Sequence, residues 1–183
     1  MIKGKVQYKG IQLAPVFALF FGGAVLMYIQ IAIMVVAGGY SGIGPEMMGG
    51  VFLAVLGFAA LIVGVILFCI MLYRIWFIIQ DGVVRTTPGK AVGFLFIPLF
   101  NCYWIFVAYY GLSRDFNRYI ADNNYDVEPM STGLFLSYSI LELCVIIPYV
   151  GSLAALANLI IMIIVHIQIG TRLNALAIIR NNE

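Results

Sequence analysis

The sequence has 183 residues, 63% of them hydrophobic and only 10% charged, with a formal net charge of +2 and a mean hydropathy of +1.05. Soluble domains carry about 25% charged and about 45–50% apolar residues, and a water-soluble fold of this size cannot hide so much apolar surface under its exposed shell. A soluble enzyme, a disordered tail, a disulfide scaffold and a nucleic-acid-binding domain are set aside on these grounds, and lipid is the expected solvent for much of the chain.

The first apolar run covers residues 13–37, follows Lys3, Lys5 and Lys9, and contains Gln30 as its polar interruption. A secretory leader has an apolar region of about 7–15 residues before a small-residue cleavage site, so this longer run is read as a retained first transmembrane helix. Residues 38–50, Gly-rich with Pro45 and Glu46, form the expected external turn. The second crossing is 51–73, which carries no formal charge, and its helical pattern continues through Arg74 and Trp76 to about Gln80. Such a helix is about 45 Å long against a hydrocarbon core of about 30 Å, placing Trp76 among the headgroups.

Thr87-Pro88 is a helix start, because proline suits the first helical position. The run that follows, 88–112, is broken at Pro98 and Asn101, then turns polar as a cytoplasmic helix over 112–123 and ends in Asp122-Asn123-Asn124. The last two crossings are 132–149, containing Glu142, and 152–170, containing Asn158 and His166; the short turn at 148–152 makes them an antiparallel pair.

Charge decides how many runs cross, since Lys and Arg near span ends stay cytoplasmic. Five crossings from a cytoplasmic N-terminus would put Arg114, Arg118, Arg172 and Arg180 outside. If 88–112 instead enters and returns on one side, or lies along the interface, all ten Lys and Arg are cytoplasmic and neither external turn carries any. Pro98 disfavours a continuous helix, and the aromatic load from Phe94 to Tyr110 resembles an interfacial belt. The alternative is one Pro-kinked full crossing.

The stretch from Pro88-Gly89-Lys90-Ala91-Val92-Gly93 through Ile97-Pro98-Leu99-Phe100-Asn101 to Tyr103-Trp104 resembles the core of a family of uncharacterised bacterial multispan membrane proteins, some joined to a GYF-type adaptor module. The resemblance covers the central third of the chain and implies a bacterial membrane location and a unified segment around Pro98. It brings no reaction.

Ionisable and amide groups inside a span are expensive and point to function by default. Gln30, Glu142 and Asn158 each lie about two helical turns from an external turn, roughly 10 Å deep, and are expected to form one intramembrane polar layer. Its structural role is interhelical hydrogen bonding, at about 0.6 kcal/mol per bond; its functional alternative is a proton or cation site at Glu142. His166, two turns beyond Asn158, is expected as a polar core residue satisfied by Ser137, Ser139 or a backbone carbonyl. Cys69, Cys102 and Cys144 sit in apolar runs without metal-ligand spacing. No nucleophile elbow or phosphate loop is present, and neither metal nor cofactor is expected. Arg114 and Arg118 mark 112–123 as a helix that could dock on anionic headgroups or a partner. Gly57 and Gly64, one heptad apart, mark a close helix approach.

The expectation is therefore an all-α integral membrane protein of the bacterial inner membrane forming a single membrane domain. It has four transmembrane helices, a Pro-broken re-entrant or interfacial segment, and both termini in the cytoplasm. Its expected role is that of a non-enzymatic component of a bacterial membrane assembly, lying in the bilayer and engaging a protein or lipid partner at the cytoplasmic face, without nucleic acid. The alternative is a small transporter or channel subunit built on the layer around Glu142. No sequence feature sets the oligomeric state.

Overall fold

The computed structural model describes residue 8 and residues 10–37, 45–145, 147 and 149–182, with the side chains of 30–37, 45–48, 152, 153 and 156 outside that description. Every regular element among these residues is helical: α1 Leu13–Ala37, α2 Pro45–Ile78, α3 Pro88–Gly93, a 3-10 turn Phe94–Phe96, α4 Phe100–Ile105, a π-turn Phe106–Tyr110, α5 Gly111–Asp122, α6 Thr132–Val145 and α7 Val150–Asn182. The class is all-α. Two stretches, Gly49–Ile78 and Ala157–Asn182, are long and apolar enough to cross a membrane; Leu13–Ile29 and Thr132–Val145 are shorter apolar helices. The chain divides into two compact units, Gln12–Cys69 and a larger one made of Met1–Ile11 with Ile70–Glu183.

The smaller unit is an antiparallel pair made of α1 and the first part of α2. Its crossing is set by missing side chains. A Cβ on Gly23 would lie 2.7 Å from the Gly57 carbonyl oxygen, and one on Gly64 would lie 2.7 Å from the Phe20 Cα. Backbone cannot yield as a flexible side chain does, so glycine is required wherever two helix axes approach this closely. Below that contact, Phe68 fits against Phe20 and Phe17 at centroid distances of 5.0 and 5.7 Å. The expected role of Gly57 and Gly64 is met here, within one chain. Pro45 and Glu46, expected in the external turn, belong to α2, which opens on Pro45 because proline suits the first helical position. Much of the apolar surface of α2 faces outward, from Phe52 and Val55 through Phe58 to Ile66. In water, a patch this continuous would associate or aggregate.

The larger unit is densely packed. Met71, Ile75 and Trp76 from the end of α2 and Ile79 just beyond it are essentially inaccessible, as are Leu112 and Phe116 of α5 and Leu173 and Leu176 of α7. The last helix was expected to stop near Gly170 but continues to Asn182, since Leu173, Leu176 and Ala177 extend its buried stripe at helical spacing. The helix α5 is amphipathic as expected, but Leu112, Ser113, Asp115, Phe116, Tyr119 and Ile120 are all buried. Its apolar face is consumed by the unit's own core and is not free to dock. It closes on Asn124 in the left-handed region, φ 53°, with Tyr125 N–H donating to the Ile120 carbonyl and Asn124 N–H to that of Ala121. This is the Schellman pattern, which satisfies the last carbonyls and tolerates Asn at the left-handed position.

Candidate functional site

The segment 88–110 is a hairpin. Thr87 occupies the N-cap in extended conformation and Pro88 the first turn of α3, as the sequence indicates; the cap is backbone only, through Ala91 N–H to the Thr87 carbonyl at 2.9 Å. After the 3-10 turn the chain reverses at Ile97-Pro98-Leu99, and α4 runs back beside it. The return is fixed by aromatic contacts: Trp104 donates its indole N–H to the Ala91 carbonyl at 3.3 Å, and Phe94 meets Trp104 at 4.7 Å and Phe100 at 5.5 Å. The π-turn then packs against α3, so both ends of the segment lie at one end of the hairpin. The expected break at Pro98 and Asn101 is its tip. Pro98 and Asn101 are exposed there, and Asn101 contributes a backbone bond to the Ile97 carbonyl.

Three features of the tip stand out physically. Leu99 has φ 64°, a region costing a non-glycine residue about 1–2 kcal/mol. Its side chain is 88% exposed, and Phe96, Ile97 and Tyr103 are exposed beside it. An apolar surrounding would explain an exposed leucine there.

The base of the hairpin is held by charge. Arg85 donates from Nε and Nη2 to the two Asp115 carboxylate oxygens at 3.0 and 2.8 Å, and its backbone N–H adds a third bond at 3.0 Å. Arg118 reaches the same carboxylate at 3.4 Å and the Val83 carbonyl. The Asp115 side chain is only 2% exposed, so the bidentate geometry replaces the water it has lost. The hydrogen bonds that Arg85 donates to the Asp115 carboxylate raise its guanidinium above the usual range, outweighing burial, which lowers it. Gly111 lets this happen, since a Cβ there would meet the Arg85 Cδ at 2.8 Å.

A second cluster lies behind the π-turn. The wide turn frees the Ala108 carbonyl to accept the Trp76 indole N–H at 3.1 Å, which is how π-turns commonly redirect backbone groups. It also sets Tyr109 against His166, with the hydroxyl 3.4 Å from Nε2. His166 Nδ1 lies 2.8 Å from the Met162 carbonyl; a carbonyl only accepts, so Nδ1 carries the proton and Nε2 accepts from Tyr109. His166 is thus satisfied by a backbone carbonyl, one of the expected partners, and by a tyrosine the sequence gave no reason to choose. Ser139, another expected partner, bonds to the Phe135 carbonyl instead, at 3.0 Å. Tyr138 stacks edge-on to Tyr109 at 4.8 Å and faces the Glu142 carboxyl one turn along α6.

The expected polar layer is placed in part. Glu142 is half-buried. Asn158 is buried, and its Oδ1 has no hydrogen-bond partner among the described residues. The side chain of Gln30 lies outside the described residues. Among the described residues no group of three His, Cys, Asp or Glu side chains could hold a metal ion.

Comparison with family models, curated proteins and solved structures returns no match for this chain. The resemblance carried by Pro88 to Trp104 therefore rests on those residues alone.

Sequence reasoning missed the partners furthest apart in the chain. Asn174 brackets Ile11, accepting its N–H at 2.7 Å and donating to its carbonyl at 2.9 Å. Asn181 does the same to Tyr8, at 2.8 Å each way. Asn117 brackets Met130 at 2.7 and 2.8 Å. Arg180 donates to Asp81, to the Tyr119 hydroxyl and to the Tyr8 hydroxyl. Burial acts to raise the Asp81 carboxyl, but hydrogen bonds from Arg180 and Tyr119 prevail and hold it below the usual carboxylate range. Burial first, and then Asp81, push the Tyr119 phenol well above its ordinary value. Polarity in the last turns of a helix hints at such contacts, but periodicity does not say with what.

Proposed function

We propose that the protein is a non-enzymatic component of a bacterial inner membrane that engages a protein or lipid partner through its cytoplasmic face. In this reading α1, the first part of α2, α6 and the first part of α7 cross the bilayer, both termini are cytoplasmic, and 88–112 enters and leaves on the cytoplasmic side. The observation that carries it is the folded-back hairpin with its apolar tip turned outward and its base held by Arg85 and Asp115. Each arm is about 13 Å long at 1.5 Å per residue, roughly half of a hydrocarbon core of about 30 Å, which suits entry into one leaflet and not passage through two. Irregular backbone at that depth needs internal partners; at the tip Phe100 N–H donates to the Pro98 carbonyl and Asn101 N–H to that of Ile97, and the Trp104–Phe94–Phe100 cluster ties the two arms together.

Single cysteines at Glu46, Val83, Ala121 and Asn182, in a chain whose native cysteines are replaced, test the threading in intact cells. The expected result is labelling by an impermeant maleimide at 46 alone, with 83, 121 and 182 reacting only after permeabilisation. Labelling of 121 from the outer side would overturn the map.

A second reading, a small transporter or channel subunit working through Glu142, is favoured by one observation: the buried Asn158 carbonyl oxygen without a partner among the described residues. Proton flux in proteoliposomes that disappears in Glu142→Gln would carry it; the first reading expects no flux in either protein.

A further inference from the structure

The fold gathers cations that the sequence keeps apart. Arg114 and Arg118 lie one turn apart on α5, and two basic residues fall short of the roughly 4–8 found in lipid-binding clusters. The Asp115 carboxylate brings Arg85 to the same place from 30 positions away, and the packing of α3 on the π-turn puts the first turn of α3, which carries Lys90, at the same end of the hairpin. All four are exposed. The Arg114 guanidinium sits over the Tyr110 ring at 5.9 Å, and Arg85 lies within electrostatic reach of Tyr110 and Tyr103. Asp115 is turned inward and its charge is taken up by Arg85 and Arg118, so the outward field is positive. One hairpin length away the tip presents Phe96, Ile97 and Leu99 to the surroundings. A basic collar one leaflet-depth from an apolar tip matches one molecule in both parts, an anionic lipid. An acidic protein would complement the collar and leave the tip unexplained.

We propose that the 88–110 hairpin is a single-leaflet anchor with a headgroup seat, in which Arg114 and Lys90 take the phosphate of an anionic phospholipid, Arg85 and Arg118 add to the positive field around it, and Phe96, Ile97 and Leu99 lie among acyl chains. The proposal rests on the reading that 88–112 enters the cytoplasmic leaflet, and names the partner of that face. Guanidinium suits phosphate because its planar fork offers paired donors, and Lys90 can extend its apolar stem along the hairpin with its ammonium at the headgroups.

The full chain is reconstituted in nanodiscs of phosphatidylcholine with one-fifth phosphatidylglycerol, and the lipids retained after mild detergent release are counted by native mass spectrometry. A nitroxide-sensitive fluorophore on Leu99→Cys reports depth in the same discs. The expected result is enrichment of phosphatidylglycerol over its share of the disc, reduced strongly in Lys90→Gln/Arg114→Gln, with lipid-borne quenching at 99 kept in both. Each basic residue near an anionic surface contributes about a fivefold gain in affinity, so the double change should lower the preference by an order of magnitude at low salt and less at high salt. Among the described residues neither Lys90 nor Arg114 takes part in the Arg85–Asp115 pair, so this variant leaves that base intact. Quenching at 99 with no anionic preference, or a preference that survives the double change, overturns the headgroup seat alone. A label at 99 reached by aqueous iodide and not by lipid quenchers overturns the leaflet reading beneath it as well.

Discussion

Asp115 illustrates how one buried side chain can organise a surface. It accepts from the Arg85 side chain and backbone and from Arg118, and an amide of the same shape could accept only at one oxygen. Asp115→Asn should therefore loosen the loop between α2 and α3, at a cost of about 1–3 kcal/mol, toward the lower end because Arg85 is partly solvated. A drop in thermal midpoint with faster hydrogen exchange over residues 82–87 checks this; an unchanged midpoint would show that the pair holds nothing. Asp81 gives a signed expectation for pH. Its folded carboxyl lies below the usual range, so its contribution is complete above the unfolded carboxylate value of about 4 and is lost as pH falls through the lower folded value. The stability gap between the native chain and Asp81→Asn should stay constant from neutrality to about pH 5 and close on further acidification. A gap that widens in acid would contradict the Arg180 contact.

At the scale of the element, two devices join helices. The first is absence: Gly23, Gly57 and Gly64 let α1 and α2 touch backbone to backbone. Gly64→Leu would drive side-chain atoms into the Phe20 main chain, and disulfide trapping between cysteines at 17 and 68 should fall from near completion to background. The second is the amide bracket. Asn174 and Asn181 are two helical turns apart, about 10 Å along α7, and Tyr8 and Ile11 span about the same length in extended chain. The match lets two side chains imitate a strand partner for a segment that has no sheet. Asn174→Ala with Asn181→Ala should expose the amides of Tyr8 and Ile11 to exchange, with each lost bond costing about 1 kcal/mol and the core around Leu173 and Leu176 unmoved. Protection of those amides in the double variant would count against the bracket.

For the whole molecule, the legible parts of the fold were those written locally. Leu13–Ala37 is one long apolar run interrupted only at Gln30, Thr87-Pro88 is a helix start, Asp122-Asn123-Asn124 a helix stop, and Pro98 a reversal. Each depends on neighbours a few residues away. Arg85 with Asp115, Tyr109 with His166, and Asn181 with Tyr8 pair across 30, 57 and 173 positions, and no period in the sequence relates such partners. The end of α7 shows the same limit: hydropathy falls after Gly170 while the buried stripe continues, so a hydropathy reading stops where the helix does not. The two asparagine brackets also impose an order on biosynthesis. Tyr8 and Ile11 leave the ribosome early, yet the residues that fasten them are made 163 or more positions later. The leading segment must wait, unfastened, while every intervening helix is delivered, and closes on its seat only as translation reaches α7. A nascent chain arrested before Asn174 should thus be open to protease at its front end, and one released after Asn181 should be closed.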